Sequence, residues 1–341
     1  MAVRFKLSRA FMLVLLTSLL LVAMPISPVV AQEVAPETIS DVVEDLGVDA
    51  AASNVGVTVS EVKQTSMPFN SIGVKANGDP TVSFRTRSLD GDWQAWQTVE
   101  PLDELDGPDD GSAEAAEAEA LLPADGWVSD AIWVGDSDHI QLRVEDGDLD
   151  DVEVHTIDSM GLSETLWERV SRKVQSLTAP APAEAASYPG LITRSQWGAN
   201  ESMRRSSPSY ATVRYAVVHH TAGSNSYTQA QAAGVVRGIY SWHINGNGWS
   251  DIGYNILVDR YGRVYEGRFG GVDRGVIGAH AANFNTGSFG ISVMGNFDTA
   301  QVPAAAFNAV RDVTAWKFDV HGIDASPSRR VTANGRSIPV V

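Results

Sequence analysis

Residues 178–187 read Thr-Ala-Pro-Ala-Pro-Ala-Glu-Ala-Ala-Ser, and no other stretch restricts the fold as much. Pro180 and Pro182 stiffen the backbone, and the alanines between them offer no side chain large enough to seed a core. A chain of 341 residues interrupted in this way is expected to fold as two units. The reading places a linker over 171–188, a β-rich domain over 32–170 and a second domain over 189–341.

Residues 1–31 have the pattern of an export signal. Arg4, Lys6 and Arg9 precede an apolar run over 10–24, Pro25 and Pro28 break it, and Val29, Val30 and Ala31 suit a signal peptidase. Cleavage before Gln32 leaves no later stretch apolar enough to span a bilayer, so a secreted protein is expected. The formal net charge of −17, with no Lys/Arg cluster, argues against a nucleic-acid partner. The chain has no cysteine, which removes disulfides, thiol nucleophiles and thiolate metal sites from consideration.

Short alternating segments dominate the first domain. Val82 and Phe84 alternate with Ser83 and Arg85, and turn residues over 89–92 lead into a second segment over 93–99. Further short strands are expected over 131–134, 140–144 and 152–157, with 135–138 as a turn, which together suggest a small sandwich. The acidic, aromatic-free stretch over 103–125 is expected to be a mobile, solubilising loop with a nascent helix over 113–122. The acidic run over 146–150 resembles the opening of a calcium loop, but Asp151 and Ile157 stand where Gly and Glu are required, so a turn is expected. His139 and His155 have no partner ligand pattern.

In the second domain, an apolar run from Arg214 ends in His219 and His220. A strand end holds imidazoles rigidly and leaves their nitrogens available to coordinate, although an isolated pair is more commonly a solvated strand end. A helix is expected over 227–242, with Ala232, Val235, Val236, Ile239 and His243 on one face, which makes His243 a core residue. Strands follow over 253–258, 263–266 and 288–294. Pro303 then opens a helix presenting Phe307, Val310, Thr314 and Phe318 on one side. The expected architecture is α/β, a mixed sheet packed by helices.

Five segments in this order carry a resemblance: Ile-Thr-Arg-Ser-Gln-Trp-Gly-Ala over 192–199, Val-His-His-Thr-Ala-Gly over 218–223, Trp-Ser-Asp-Ile-Gly-Tyr-Asn over 249–255, Gly-Arg-Val-Tyr-Glu-Gly-Arg over 262–268, and Gly-Ala-His-Ala over 278–281 with Asn-Thr-Gly-Ser-Phe-Gly-Ile over 285–291. Together they resemble the peptidoglycan recognition protein/type 2 N-acetylmuramoyl-L-alanine amidase family. The resemblance implies a mostly antiparallel central sheet with flanking helices and a zinc-floored groove for a muropeptide of the bacterial cell wall. It makes His219 the first Zn2+ ligand and Tyr254 the catalytic tyrosine. His220, Trp249, Arg268, His280 and Asn285 become candidates for substrate binding, whereas Trp197, Glu266 and Gly267 read as architectural.

Such a zinc ion would lower the pKa of a bound water and polarise the amide carbonyl, and a phenol beside it would stabilise the developing oxyanion. The implied activity is hydrolysis of the bond between N-acetylmuramic acid and L-alanine. The family's second and third ligands, a His and then a Cys or Asp, have no match over 320–341, so the sequence is expected to be C-terminally incomplete and this chain alone to be inactive. The competing expectation is a non-catalytic peptidoglycan-binding protein. A serine or thiol hydrolase has no support, since there is neither a Gly-x-Ser-x-Gly elbow nor a cysteine.

Overall fold

The computed structural model describes residues 34–103, 106–178, 188–326 and 328–340. The expected export signal and most of the Ala/Pro run lie outside them.

The first domain contains β1 (Ile39–Val42), β2 (Val57–Val59), β3 (Lys63–Asn77), β4 (Thr81–Ser88), β5 (Gln97–Thr98), helix α1 (Ala113–Glu119), β6 (Gly126–Val128), β7 (Ile132–Glu145), β8 (Val152–Asp158) and helix α2 (Leu166–Thr178). Its strands run β1-β8-β3-β7-β4-β5, with β2 added to β7 and β6 to β3, and every pairing is antiparallel. One strand is much longer than expected, and β3 has no counterpart among the strands expected from the sequence. The segments over 131–134 and 140–144 are parts of a single β7, because Gly135 takes up a left-handed conformation (φ 74°) and the strand passes through the turn-like residues without reversing. β3 pairs with β7 through shifts in register around Phe69 and with β8 along its second half. Phe69, Ile72, Val74, Val82, Phe84, Ile140, Leu142 and Val154 fill the core of this domain.

The expected linker begins later than its composition suggests. Helix α2 extends to Thr178, opened by Thr165 and Glu168, which exchange hydrogen bonds across its first turn.

The second domain contains α3 (Arg194–Trp197), β9 (Tyr215–His220), α4 (Ala232–Asn245), β10 (Ile256–Val258), β11 (Val264–Glu266), β12 (Ser288–Val293), α5 (Ala304–Val320), β13 (Arg330–Ala333) and β14 (Arg336–Pro339). Its central sheet runs β11-β10-β12-β9. The sheet is mixed as expected, but β12 is parallel to both β9 and β10, and only β10–β11 is antiparallel. The cause is the connections. The β9–β10 link crosses over through α4, whereas β10 and β11 are joined by a tight turn at Tyr261 and Gly262 (φ 81°).

Alternate residues of the sheet face opposite layers. Leu257 and Tyr265 join α4, and Ile256, Val258, Val264 and Ile291 join α5. α4 starts five residues later than expected, because Thr228 and Gln231 bond to each other in a preceding turn. The buried face of α5 includes Val310, Thr314 and Phe318 as expected, but not Phe307, and it is extended by small residues. Ala306, Ala309, Val313 and Lys317 are buried, while Phe307 is 62% exposed. Small residues allow the helix to approach closely, so closely that a Cβ at Gly262 would lie 2.8 Å from the Ala305 carbonyl.

The two domains share a core. Val128, Ala131, Trp133 and Ile157 of the first pack with Trp197, Tyr240, Trp242 and Tyr254 of the second.

Candidate functional site

His219 and His220 are adjacent on β9, so their side chains leave opposite faces of the sheet. His220 accepts the Phe297 N–H on Nδ1 at 2.9 Å and directs Nε2 towards Asp298 at 3.8 Å. His219 instead meets His280, with Nε2 and Nδ1 3.0 Å apart. The tautomers follow from the surrounding bonds. Ser288 donates its hydroxyl to the Asn285 carbonyl at 2.9 Å, so its oxygen accepts from His280 Nε2 at 3.2 Å. His280 Nδ1 therefore accepts from His219 Nε2, and the lone pair of His219 is on Nδ1. Asp106 faces that lone pair, with its Oδ1 3.6 Å away.

Burial sets the charges here. It pushes His219 down to about 4, against the raising effect of Asp130 and Asp103, and His220 adds to the depression. His280, fully buried, is held well below the ordinary histidine range by burial, His219 and Arg268. Burial, with Asp130 and Asp103 nearby, raises Asp106 to about 8. Both imidazoles are thus neutral at pH 7, and Asp106 is protonated.

Tyr254 lies just before β10, with its ring centroid 5.9 Å from that of His219. Its hydroxyl donates to Asp130 Oδ2 at 3.5 Å, and burial beside Asp130 and Asp106 raises its pKa well above the ordinary tyrosine value. The other oxygen of Asp130 takes the proton of His243 Nε2 at 3.3 Å, since His243 Nδ1 already accepts the Gly253 N–H at 3.0 Å. Asp130 belongs to the first domain, and its place in the site had no signal in the sequence. His243 is fully buried and stacks on Trp249 with centroids 4.3 Å apart, so it is a packed core histidine as expected.

The remaining predicted residues, Trp249, Arg268 and Asn285, are buried, and a segment of the first domain covers the cleft they would border. Trp249 lies beneath Ala118 of α1. Arg268 donates from Nε to the Ile252 carbonyl at 3.0 Å and from both terminal nitrogens to Glu114, with Nη1–Oε2 at 3.0 Å. Asn285 receives the His280 and Ala281 N–H groups and donates to Asp109 and the Gly107 carbonyl. Asp106, Gly107, Asp109, Glu114 and Ala118 all belong to the acidic stretch expected to be a mobile, solubilising surface. From Asp106 onward that expectation is corrected. Its carboxylates have specific partners in the second domain, which composition does not reveal.

The architectural residues behave as expected. Trp197 is buried and donates Nε1–H to the Glu266 carbonyl at 2.7 Å, and a Cβ at Gly267 would lie 2.1 Å from the Tyr254 carbonyl.

Catalytic zinc takes three protein ligands and leaves a position open. Among the described residues, no three His, Cys, Asp or Glu side chains converge in a way that could hold a metal. His219 contributes one imidazole, and both nitrogens of its neighbour His280 are committed to hydrogen bonds. The described residues do not fit the zinc site that the resemblance implies. No described helix is long and apolar enough to cross a membrane.

Residues 209–338 match the family described as N-acetylmuramoyl-L-alanine amidase, and residues 26–186 match the family described as Rv3811 N-terminal galactose-binding domain-like. Over 122 residues the chain is 39% identical to peptidoglycan-recognition protein SC2 of Drosophila simulans, covering 36% of this chain and 63% of that protein. Over 126 residues it is 37% identical to peptidoglycan recognition protein 1 of Bos indicus, covering 37% and 64%. The solved structure of wild-type Drosophila PGRP-LB is 27% identical, with a TM-score of 0.35 and coverage of 42% and 87%. The chain spans a little under two thirds of the length of these two curated relatives. The domain that carries His219, Tyr254 and His280 is thus the part of the chain that is similar to the N-acetylmuramoyl-L-alanine amidase family and to peptidoglycan recognition proteins.

Proposed function

We propose that the second domain binds muropeptides of bacterial peptidoglycan in the cleft bordered by Trp249, Arg268, His280 and Asn285, and that it does so as an exported, wall-associated protein. The observation that carries this reading is the convergence of those residues, found in three separate stretches of sequence, around the His219–His280 pair, whose His219 comes from a fourth. The cleft offers what a sugar–peptide needs: an aromatic surface at Trp249, a guanidinium for carboxylates at Arg268, and amide and imidazole groups for peptide bonds.

A second reading is zinc-dependent hydrolysis of the amide between N-acetylmuramic acid and L-alanine. The neighbouring His219 and Tyr254 favour it, since a neutral imidazole and a protonated phenol on one wall are suited to bind and orient a scissile amide. A metal would supply carbonyl polarisation and an activated water, but the donor set described here does not hold one.

Incubation of the full chain with purified sacculi separates the readings. Co-sedimentation without release of stem peptides, unaffected by chelator, identifies a binding protein. Chelator-sensitive release, reduced on the order of 100-fold or more by His219→Ala and by Tyr254→Phe, identifies the hydrolase. Absence of any association with sacculi overturns both.

A further inference from the structure

We propose that residues 106–122 form an autoinhibitory strap, an acidic segment of the first domain that occupies the cleft of the second and must leave before a ligand can enter. The idea rests on the muropeptide reading only for the identity of that ligand.

The geometry has four parts. Asp106 stands against the lone-pair nitrogen of His219 at 3.6 Å. Asp109 accepts from Asn285 through its backbone N–H at 3.0 Å and its side-chain amide at 2.8 Å, and from the Thr286 hydroxyl at 2.9 Å. Glu114 pairs with both terminal nitrogens of Arg268 and also accepts the Ser250 N–H at 2.9 Å. Ala118 covers Trp249, and a Cβ at the neighbouring Gly248 would lie only 2.9 Å from the Ala118 Cα. Each of these partners borders the cleft or lies beside a residue that does.

The character of these contacts argues for a removable cover rather than a piece of core. A segment held for stability alone buries large apolar side chains. Within α1 the buried residue is Ala118, Leu122 at the end of the segment packs half-buried against the core, and the rest is held mainly by carboxylates. Carboxylate contacts can be exchanged one for one by an anionic peptide, which repays their loss. Between the segment and the cleft wall lies a cavity of about 330 Å³, lined by Pro108, Glu117, Arg204 and Phe269 among others, where a ligand can gain a first hold. If the open form is a small fraction of molecules, the apparent dissociation constant is the intrinsic value divided by that fraction.

The test uses the full chain, a soluble disaccharide–tetrapeptide muropeptide as probe, and two variants altered only in the strap. Asp109→Asn with Glu114→Gln removes charge without changing shape, and Ala118→Glu wedges α1 away from Trp249. Affinity is measured by calorimetry, and hydrogen exchange follows the amides of 106–122 and of β12. The expected result is muropeptide binding at least tenfold tighter in both variants, with faster exchange in 106–122 and unchanged protection in β12. Addition of muropeptide to the wild-type chain is expected to raise exchange in 106–122 in the same way. Equal affinity in wild-type and variants, with exchange in 106–122 raised only in the variants, overturns the strap and leaves the muropeptide reading standing. Absence of binding in all forms, with exchange rising over 106–122 and the cleft of the variants, sinks the muropeptide reading while supporting the segment as the cleft's cover.

Discussion

At the scale of single residues, the second domain contains buried charges whose partners decide their state. Arg194 on α3 is 3% exposed and bonds to Glu201 at 2.7 Å, to Asp251 at 3.0 Å and to the Gly267 carbonyl. Burial alone would lower its pKa, but the charges of Asp251 and Glu201 carry it above the ordinary arginine value. Lys317 on α5 lacks an equivalent counter-charge. Its ammonium donates to the Val272 and Arg274 carbonyls and lies 4.6 Å from the Phe289 ring centroid, and burial pushes it down to about 7 against the weaker pull of Asp273. Between about 7 and the ordinary lysine value of 10.5, the unfolded chain holds a proton that the folded chain lacks. The contribution of Lys317 to stability is therefore expected to rise with pH across that window and to be flat below it. Thermal melts from pH 6.5 to 10 should show this rise relative to Lys317→Met, and parallel melting curves for the two proteins would contradict it.

At the scale of elements, the contact between β3 and α4 is a tight crossing of the domain boundary. A Cβ at Gly73 would lie 2.3 Å from the indole of Trp242, which donates Nε1–H to the Ser129 carbonyl at 2.7 Å and receives the His155 ring edge-on at 5.1 Å. Gly73→Ala is expected to cost about 1–3 kcal/mol through overpacking. Trp242→Ala should make the same substitution nearly silent, which a denaturant double-mutant cycle can check. Strand and helix identities in the second domain were legible from the sequence because the period-2 and period-3.6 patterns have apolar layers on both sides of the sheet. The full buried face of α5 was not. The sequence pattern sets Phe307 against the sheet with Val310, but the sheet accepts Ala306, Ala309 and Val313 because small residues permit closer approach. The continuity of β7 was hidden for a related reason. Gly135 lets turn chemistry sit inside a strand, and only the partners on β3 and β4 reveal it.

At the scale of the whole molecule, the Ala/Pro run suggests two separate domains, yet the core is common to both. Ile157 and Trp133 pack among the same residues as Ile239 and Tyr254, and Arg237 donates to the carbonyls of Ser159 at 2.9 Å and Trp197 at 2.6 Å. A single calorimetric transition is expected for the full chain, with the calorimetric and van't Hoff enthalpies equal. Two resolved transitions would show that the domains melt independently. Of the predicted site residues, His219, Tyr254 and His280 lie together and His220 leaves the other face of β9. The covering of the cleft did not show in the sequence, since partners more than a hundred residues apart, such as Glu114 and Arg268, leave no local pattern.

The carboxylate of Asp130 reaches from one domain to hold His243 and Tyr254 in the other. Ownership of the reactive pocket is therefore split along the polypeptide. A transplant that gave the second domain a foreign first half would receive the phenol without the group that orients it. If the proposed muropeptide reading holds, random mutagenesis seeking altered ligand specificity should accordingly recover changes in the β-rich half as well as in the second domain.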